Sequence, residues 1–388
     1  MLLRPRLRPG VAAGGARRPA GAPARLAGAA PRAAAAAAQQ QQQGAVAKAC
    51  AGLSWGSACA QGPRPTMEDE LRVEVDAKAG FTYAAVFDGH GGTASAEWLV
   101  EHLYDDVLRC VDARLLAPDP DAAPVPGRPG VVRSRRAEQL LGKVFQQADD
   151  ELLAYLLEKK GRVTGASGAT GTVALVHPQR AVFASLGDSL AVLCRNGVAV
   201  TLTSQHRVYG LGDHVLEEVE RVEAAGGWIV DGRVCNVLAV SRAFGDPEFK
   251  GEGLAVLLAE GAEKGSWPRD FAAKHTFTAD PVIPVPDVAV LDLDGLTDEF
   301  LVIATDGLWD CMPPPDAVRF ARQQFRGGKD AQEVAAALVD IALRRYTTDN
   351  VAVVVADLKG GRDAWTAKPA RGERKGLLSS LFSSSKKQ

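Results

Sequence analysis

Aspartate recurs at the ends of short apolar runs in this 388-residue chain. Phe81–Phe87 (FTYAAVF) leads straight into Asp88-Gly89-His90-Gly91-Gly92. Ala181–Leu186 leads into Gly187-Asp188-Ser189, and Phe300–Thr305 into Asp306-Gly307-Leu308-Trp309-Asp310. Asp349-Asn350 comes just before Val351–Ala356. A single Asp after a strand is most often a turn former. Several in one domain mean something else if the strands present those ends to the same rim. Carboxylates crowded there repel each other and cannot all stay ionised without a counter-charge. A divalent cation supplies that charge. Oxygen ligands without thiolates favour Mg2+ or Mn2+ over Zn2+.

Two further groups could serve phosphate chemistry. Arg64 lies four residues before the acidic pair Glu68-Asp69. A guanidinium there could grip a phosphate with its fork of donors; the plainer alternative is a surface ion pair. His90 follows Asp88-Gly89 and could protonate a leaving alkoxide beside a metal. The glycines around it let backbone and ligand approach closely.

The elements that must position these residues are short. Phe81–Phe87, Ala181–Leu186, Ala191–Arg195, Phe300–Thr305 and Val351–Ala356 read as β-strands bounded by turn residues. Apolar residues at helical spacing predict helices over Thr93–Leu108, Arg136–Glu158, Glu217–Ala225, Asp316–Gln324 and Ala331–Arg345. Ala117–Val132 and Pro247–Pro286 read as loop insertions. The runs 181–186 and 191–195 are close enough for a hairpin and too close for a crossover. The pattern predicts an α+β domain, a β-sandwich flanked by helices, over residues 51–358.

Composition narrows the function. Hydrophobic residues make up 46% and charged residues 24%, which suits a globular protein with a substantial core. The net charge of −2 argues against nucleic-acid binding. That average hides an asymmetry. Residues 1–67 hold nine of the 45 basic residues and no acid, leaving 36 against 47 acidic ones in the rest. The Ala-, Arg- and Pro-rich head, residues 1–50, reads as an organelle transit peptide, although Ser is scarce. A low-complexity tail without an address is the alternative. Residues 359–388 are polar and basic and read as a disordered tail. No apolar run reaches the length of a membrane span. The six cysteines form no C-x-x-C pair and read as free thiols.

Seven linked stretches carry a resemblance. They are Arg64-x-x-Met67-Glu68-Asp69, Phe87–Gly92, Ser167–Thr170, Leu186–Ser189, Leu238–Asp246, Ala304–Asp310 and Asp349-Asn350. In this order they resemble the type 2C protein phosphatases, the metal-dependent PPM family. The resemblance implies a four-layer α-β-β-α sandwich with two Mn2+ or Mg2+ ions between the sheets, a weaker third ion, and a monomer that acts on phosphorylated proteins. It implies that Asp88 bridges both ions, that the Gly89 carbonyl binds the first, and that Asp306 and Asp349 bind the second. Glu68 and Asp69 would act from nearby, partly through water. Asp188, with Asp306, matches the third ion. Arg64 would hold the substrate phosphate and His90 would be the general acid. Direct hydrolysis follows, with ions about 3.5–4 Å apart activating a water. Departures at Ala169, Gly171, Leu190, Gln205 and Asn236 spare every ligand.

Within the family, His206–Gly210 and Glu217–Asp246 resemble the plant thylakoid-associated phosphatases that dephosphorylate light-harvesting complex II in state transitions. The transit-like head agrees. Those relatives end in an apolar anchor, whereas Gly376–Gln388 holds none, so the expected place is the chloroplast stroma or the thylakoid periphery. The alternatives are a catalytically weak member that binds phosphoproteins, and a phosphatase of another signalling pathway. Of the latter, a hormone co-receptor would carry a tryptophan lock shortly before Arg233-Val234. Trp228 directly follows Gly226-Gly227 instead.

Overall fold

Strand Phe81–Phe87 is buried at every position, which means that both of its faces are covered. A computed structural model, describing residues 53–76, 80–110, 115, 119–160 and 166–366, shows by what. Phe81, Tyr83, Ala85 and Phe87 pack against the helices Ala94–Cys110 and Arg135–Tyr155. Ala84 and Val86 point the other way, into a core shared with Leu193, Ile303 and Val354 of a second sheet. The period-2 alternation of a strand puts its neighbours in two different cores.

The second sheet repeats this. Val351, Val353 and Val355 face the helices Pro314–Arg326 and Ala331–Arg344, while Val354 and Ala356 face the first sheet. The layers are therefore helix, sheet, sheet, helix, as expected. The first sheet runs Glu70–Asp76, Phe81–Phe87, Gly171–His177, Arg180–Leu186, Asp287–Asp292, Val131–Arg133, Ala123–Pro124. The second runs Ser54–Ala60, Val351–Asp357, Asp298–Ala304, Leu190–Arg195, Val198–Thr201. Every ladder within these two sheets is antiparallel.

The expected hairpin between 181–186 and 191–195 is not formed. Arg180–Leu186 pairs with Gly171–His177 and Asp287–Asp292 in the first sheet. Leu190–Arg195 pairs with Val198–Thr201 and Asp298–Ala304 in the second. The chain changes sheets at Gly187-Asp188-Ser189, as sandwich strands do at corners. Gly187 turns there with φ +87°, and Thr170 fills the place of a Cβ. This corner brings Asp188 to the rim between the sheets.

Both expected loops hold structure. Ala123–Pro124 and Val131–Arg133 extend the first sheet. Within 247–286 lie helices Gly253–Glu263 and Arg269–Lys274. These pack with helix Asp213–Ala224 around Val222, Val234, Trp267 and Val282, a separate small core. Trp228, half-buried, packs against it, edge-on to Trp267 at 5.2 Å and to Phe271 at 5.1 Å. The folded region also passes Leu358. Arg362–Thr366 is helical, and the buried Trp365 stacks on Phe325 at 4.7 Å. Residues 1–50 and 367–388 lie outside the described residues. Among the described residues no helix is long and apolar enough to cross a membrane.

Candidate metal centre

The rim between the two sheets collects the aspartates. Asp88 leaves strand Phe81–Phe87 of the first sheet, Asp188 sits at the crossing corner, and Asp306 follows strand Asp298–Ala304 of the second. One carboxylate oxygen from each lies within 4.8 Å of the other two. Asp349 precedes strand Val351–Asp357, next to Asp298–Ala304 in the same sheet. Its charge acts on Asp69, Asp88 and Asp306. Asp69 is buried beneath them and accepts a 2.8 Å hydrogen bond from Thr305 Oγ1.

Three of these acids, Asp88, Asp306 and Asp69, resist ionisation. Burial, then the repulsion of Asp69, Asp306, Asp188 and Asp349, pushes Asp88 well above the usual carboxylate range. Asp306 is pushed up to about 8, first by burial and then by Asp188 and Asp310. Asp69 is pushed up to about 7 by burial and by Asp349, against the hydrogen bond from Thr305. A half-buried set of oxygen donors that repel one another this strongly fits a hard divalent cation. Asp88, Asp306, Asp188 and Asp349 are the residues that would hold it.

Positive charge already enters the cluster from one side. Arg207 donates from Nε to Asp188 at 2.8 Å, from Nη2 to Asp306 at 3.0 Å and from Nη1 to Asp310 at 3.0 Å. Its guanidinium also lies 5.2 Å from the centre of the Tyr209 ring. Arg64 stands at the mouth, with its side chain 51% exposed, and pairs with Asp349 at 2.6 Å. The ion pair expected as the plain alternative therefore exists, but with Asp349 rather than with Glu68-Asp69. Glu68 reaches the rim through its backbone. Its N–H donates to Asn350 Oδ1 at 2.8 Å and its carbonyl accepts from Gly89 N–H at 3.2 Å. A side chain on Gly89 would collide with that carbonyl. The Glu68 carboxylate accepts from Thr66 Oγ1 at 3.1 Å.

His90 is held by a partner the motif reading did not single out. Its Nε2 lies 2.7 and 2.9 Å from the two carboxylate oxygens of Asp246. Burial opposes the charged imidazolium, but the charge and hydrogen bond of Asp246 outweigh it, and the imidazole pKa stands above its usual value.

The structure thus gathers Asp88, Asp188, Asp306, Asp349 and Asp69 at one place, with Gly89, His90 and Arg64 at its edge and Glu68 tied in by its backbone. Arg207, Asp310 and Asp246 were not singled out as site residues. Each lies in a quoted motif or stretch, but its role depends on side chains that arrive from distant segments.

The profile of the family described as protein phosphatase 2C matches residues 55–351. The chain is 38% identical over 319 residues to protein phosphatase 2C 57 of Arabidopsis thaliana, covering 82% of this chain and 78% of that one. It is 29% identical over 307 residues to protein phosphatase 1A of Mus musculus, covering 78% and 70%. A solved phosphatase from a pathogenic strain of Toxoplasma gondii superposes with a TM-score of 0.56 at 21% identity, over 79% of this chain and 94% of that one. A C. elegans sex determining protein superposes with a TM-score of 0.59 at 21% identity, over 81% and 67%. These two structures share the fold.

Proposed function

This chain belongs to the protein phosphatase 2C family, metal-dependent protein serine/threonine phosphatases that use Mn2+ or Mg2+, and from that premise we propose that it hydrolyses phosphothreonine and phosphoserine on thylakoid antenna proteins. The observation that carries the chemistry is the meeting of Asp88, Asp188 and Asp306 within 4.8 Å at the rim between the sheets.

When bound, two divalent ions would balance the charge of these acids, lower the pKa of a water and polarise the phosphoryl group. The chain's own residues do the rest. Asp88, Asp306 and Asp349, with the Gly89 carbonyl, would hold those ions, and Asp188 would offer a further, weaker position. Arg64, exposed at the mouth, turns from Asp349 to hold the non-bridging oxygens of the incoming phosphate. Its fork of donors matches that group better than a point charge would. His90, at the edge of the acids, gives a proton to the leaving seryl or threonyl oxygen. Asp69 and Glu68 support the acids from behind. Among the described thiols none is activated as a nucleophile: burial pushes Cys194 up to about 12 and Cys235 up to about 11, and raises Cys59 and Cys311 as well.

The antenna substrate and a chloroplast address, in the stroma or at the thylakoid surface, rest on the resemblance of His206–Gly210 and Glu217–Asp246 and on the acid-free, Arg-rich head. Incubating the full chain with isolated phosphorylated thylakoids and Mn2+ tests the substrate. The phosphothreonine signal of the antenna proteins is expected to fall with Mn2+ and to persist with chelator. An untouched antenna signal beside rapid cleavage of a generic phosphopeptide would place the enzyme in another pathway.

A further inference from the structure

The small sheet beside the metal centre has three strands of two residues each, in the order Phe244–Gly245, Gly168–Ala169, Gly89–His90. His90 pairs with Gly168 on one side, and Gly245 pairs with Gly168 on the other. Asp246 follows Gly245 directly and reaches back across Gly168 to the His90 ring. Only glycine permits this crossing, because a Cβ on Gly168 would overlap the Asp246 carboxylate. Asp246 itself holds a left-handed backbone, φ 50°, a conformation that costs most side chains stability but that Asp and Asn tolerate. Its N–H donates to Ser167 O at 3.0 Å, and its side chain is 2% exposed.

The segment is clamped from beneath. Lys250 Nζ donates to both oxygens of Asp149, at 2.8 and 2.7 Å, and to Ala243 O at 3.0 Å. Gly245 N–H donates to Asp149 Oδ1 at 2.7 Å. Helix Arg135–Tyr155, which carries Asp149, thereby fixes the backbone on which Asp246 sits. A strained residue, a glycine cradle and a buried ion pair converge on one carboxylate, and that carboxylate touches one imidazole.

We infer that Asp246 is the positioning residue of His90: it holds the ring by Nε2 and leaves Nδ1 as the nitrogen that serves the substrate. The inference rests on the reading of His90 as general acid. In the step, water oxygen bonds to phosphorus as the bond from phosphorus to the seryl or threonyl oxygen breaks. The electron pair of that bond stays on the leaving oxygen, which takes the proton from Nδ1. The ring is left neutral with Nε2–H on Asp246, the water gives up a proton to solvent, and the ring is reprotonated from solvent.

The test compares leaving groups in the full chain with Mn2+. A phosphothreonine peptide needs a proton on its leaving alkoxide, whereas p-nitrophenyl phosphate releases a stable phenolate. Asp246→Asn keeps the size of the side chain and suits the left-handed backbone. It is expected to lower kcat on the peptide by roughly 10²-fold, the low end of general-acid contributions, and at least tenfold more than on p-nitrophenyl phosphate, with little change in KM. His90→Gln is expected to show the same bias, and the double variant to be no slower than the slower single one. If His90→Gln is biased by leaving group and Asp246→Asn slows both substrates equally, or the two losses multiply, Asp246 does not act through His90 and the inference fails while the general acid stands. If His90→Gln itself shows no bias, the general-acid reading falls and the inference with it. A thermal melt of Asp246→Asn matching the parent's excludes misfolding as the cause of its loss.

Discussion

Arg207 makes three ion pairs to the acids of the metal centre, with Asp188, Asp306 and Asp310, and its side chain is largely buried. It offsets part of the repulsion that pushes Asp306 up. Removing one partner from a buried charge cluster leaves the others uncompensated, at a cost of roughly 3 kcal/mol or more. Arg207→Ala is therefore expected to melt lower than the parent when stripped of metal. Mn2+ binds the folded state and stabilises it by mass action, and it should restore more of the melting temperature in the variant, where it meets the larger deficit. Scanning calorimetry of both proteins with chelator and with Mn2+ measures this. An equal Mn2+ shift in the two would mean that Arg207 does not share the charge that the metal neutralises. Arg207 was not singled out in the sequence because an Arg after a His is an ordinary residue until the fold places acids from two distant segments around it. The aspartates were legible because each sits at one end of an apolar run, Asp349 before its run and the others after theirs, and strands in neighbouring layers bring those ends to a common rim.

At the level of elements, helix Asp213–Ala224 is tied to the rest by Glu218. This carboxylate accepts from Arg242 Nε at 3.0 Å, from Ser241 Oγ at 2.6 Å and from Arg221 Nη2 at 3.1 Å. Burial works against its charge, but Arg242 and Arg221 outweigh burial and hold its pKa down at about 2. A carboxylate with a lowered folded pKa adds stability that is full above its unfolded pKa, near 4.5, and is lost as pH falls toward the folded value. Glu218→Gln is expected to cost roughly 3 kcal/mol at pH 7, by the equivalence of about 1.4 kcal/mol per unit of pKa. Its deficit against the parent should shrink between about pH 5 and pH 2. Urea unfolding across that range reads it. A deficit constant with pH would show that the loss is packing rather than charge. The helices of this part were only partly legible. Gly253–Glu263 (GLAVLLAEGAE) is apolar almost all round and carries glycines that disfavour a helix, so no stripe marks it. Gly261 is there because the Trp267 indole lies where a Cβ would be, a contact that only the folded chain reveals. The crossing at Gly187 was misread for a similar reason. Nearness in sequence suggests a hairpin, and the residue packed against the turn, Thr170, lies far back in the chain, between the strands Gly168–Ala169 and Gly171–His177.

Across the two sheets, each with its own helical cover, one shared core forms, and the acids stand where strand ends of both sheets meet. That geometry makes the centre a property of the sandwich rather than of any one motif. It also explains why a β-sandwich flanked by helices could be expected from the strand-like and helix-like runs, and its four layers from the resemblance, while the connections between sheets could not. Burial of both strand faces reads directly as apolar composition, whereas the choice between sheets depends on contacts far apart in the chain. The most direct test of the account strips the full chain of divalent ions and follows phosphate release from a phosphothreonine peptide as Mn2+ is returned, for the parent and for Asp306→Asn. The account predicts no release from the stripped parent, recovery with Mn2+, and a loss of about 10²-fold or more in the variant. Release by the stripped parent, or full activity in Asp306→Asn, would contradict it.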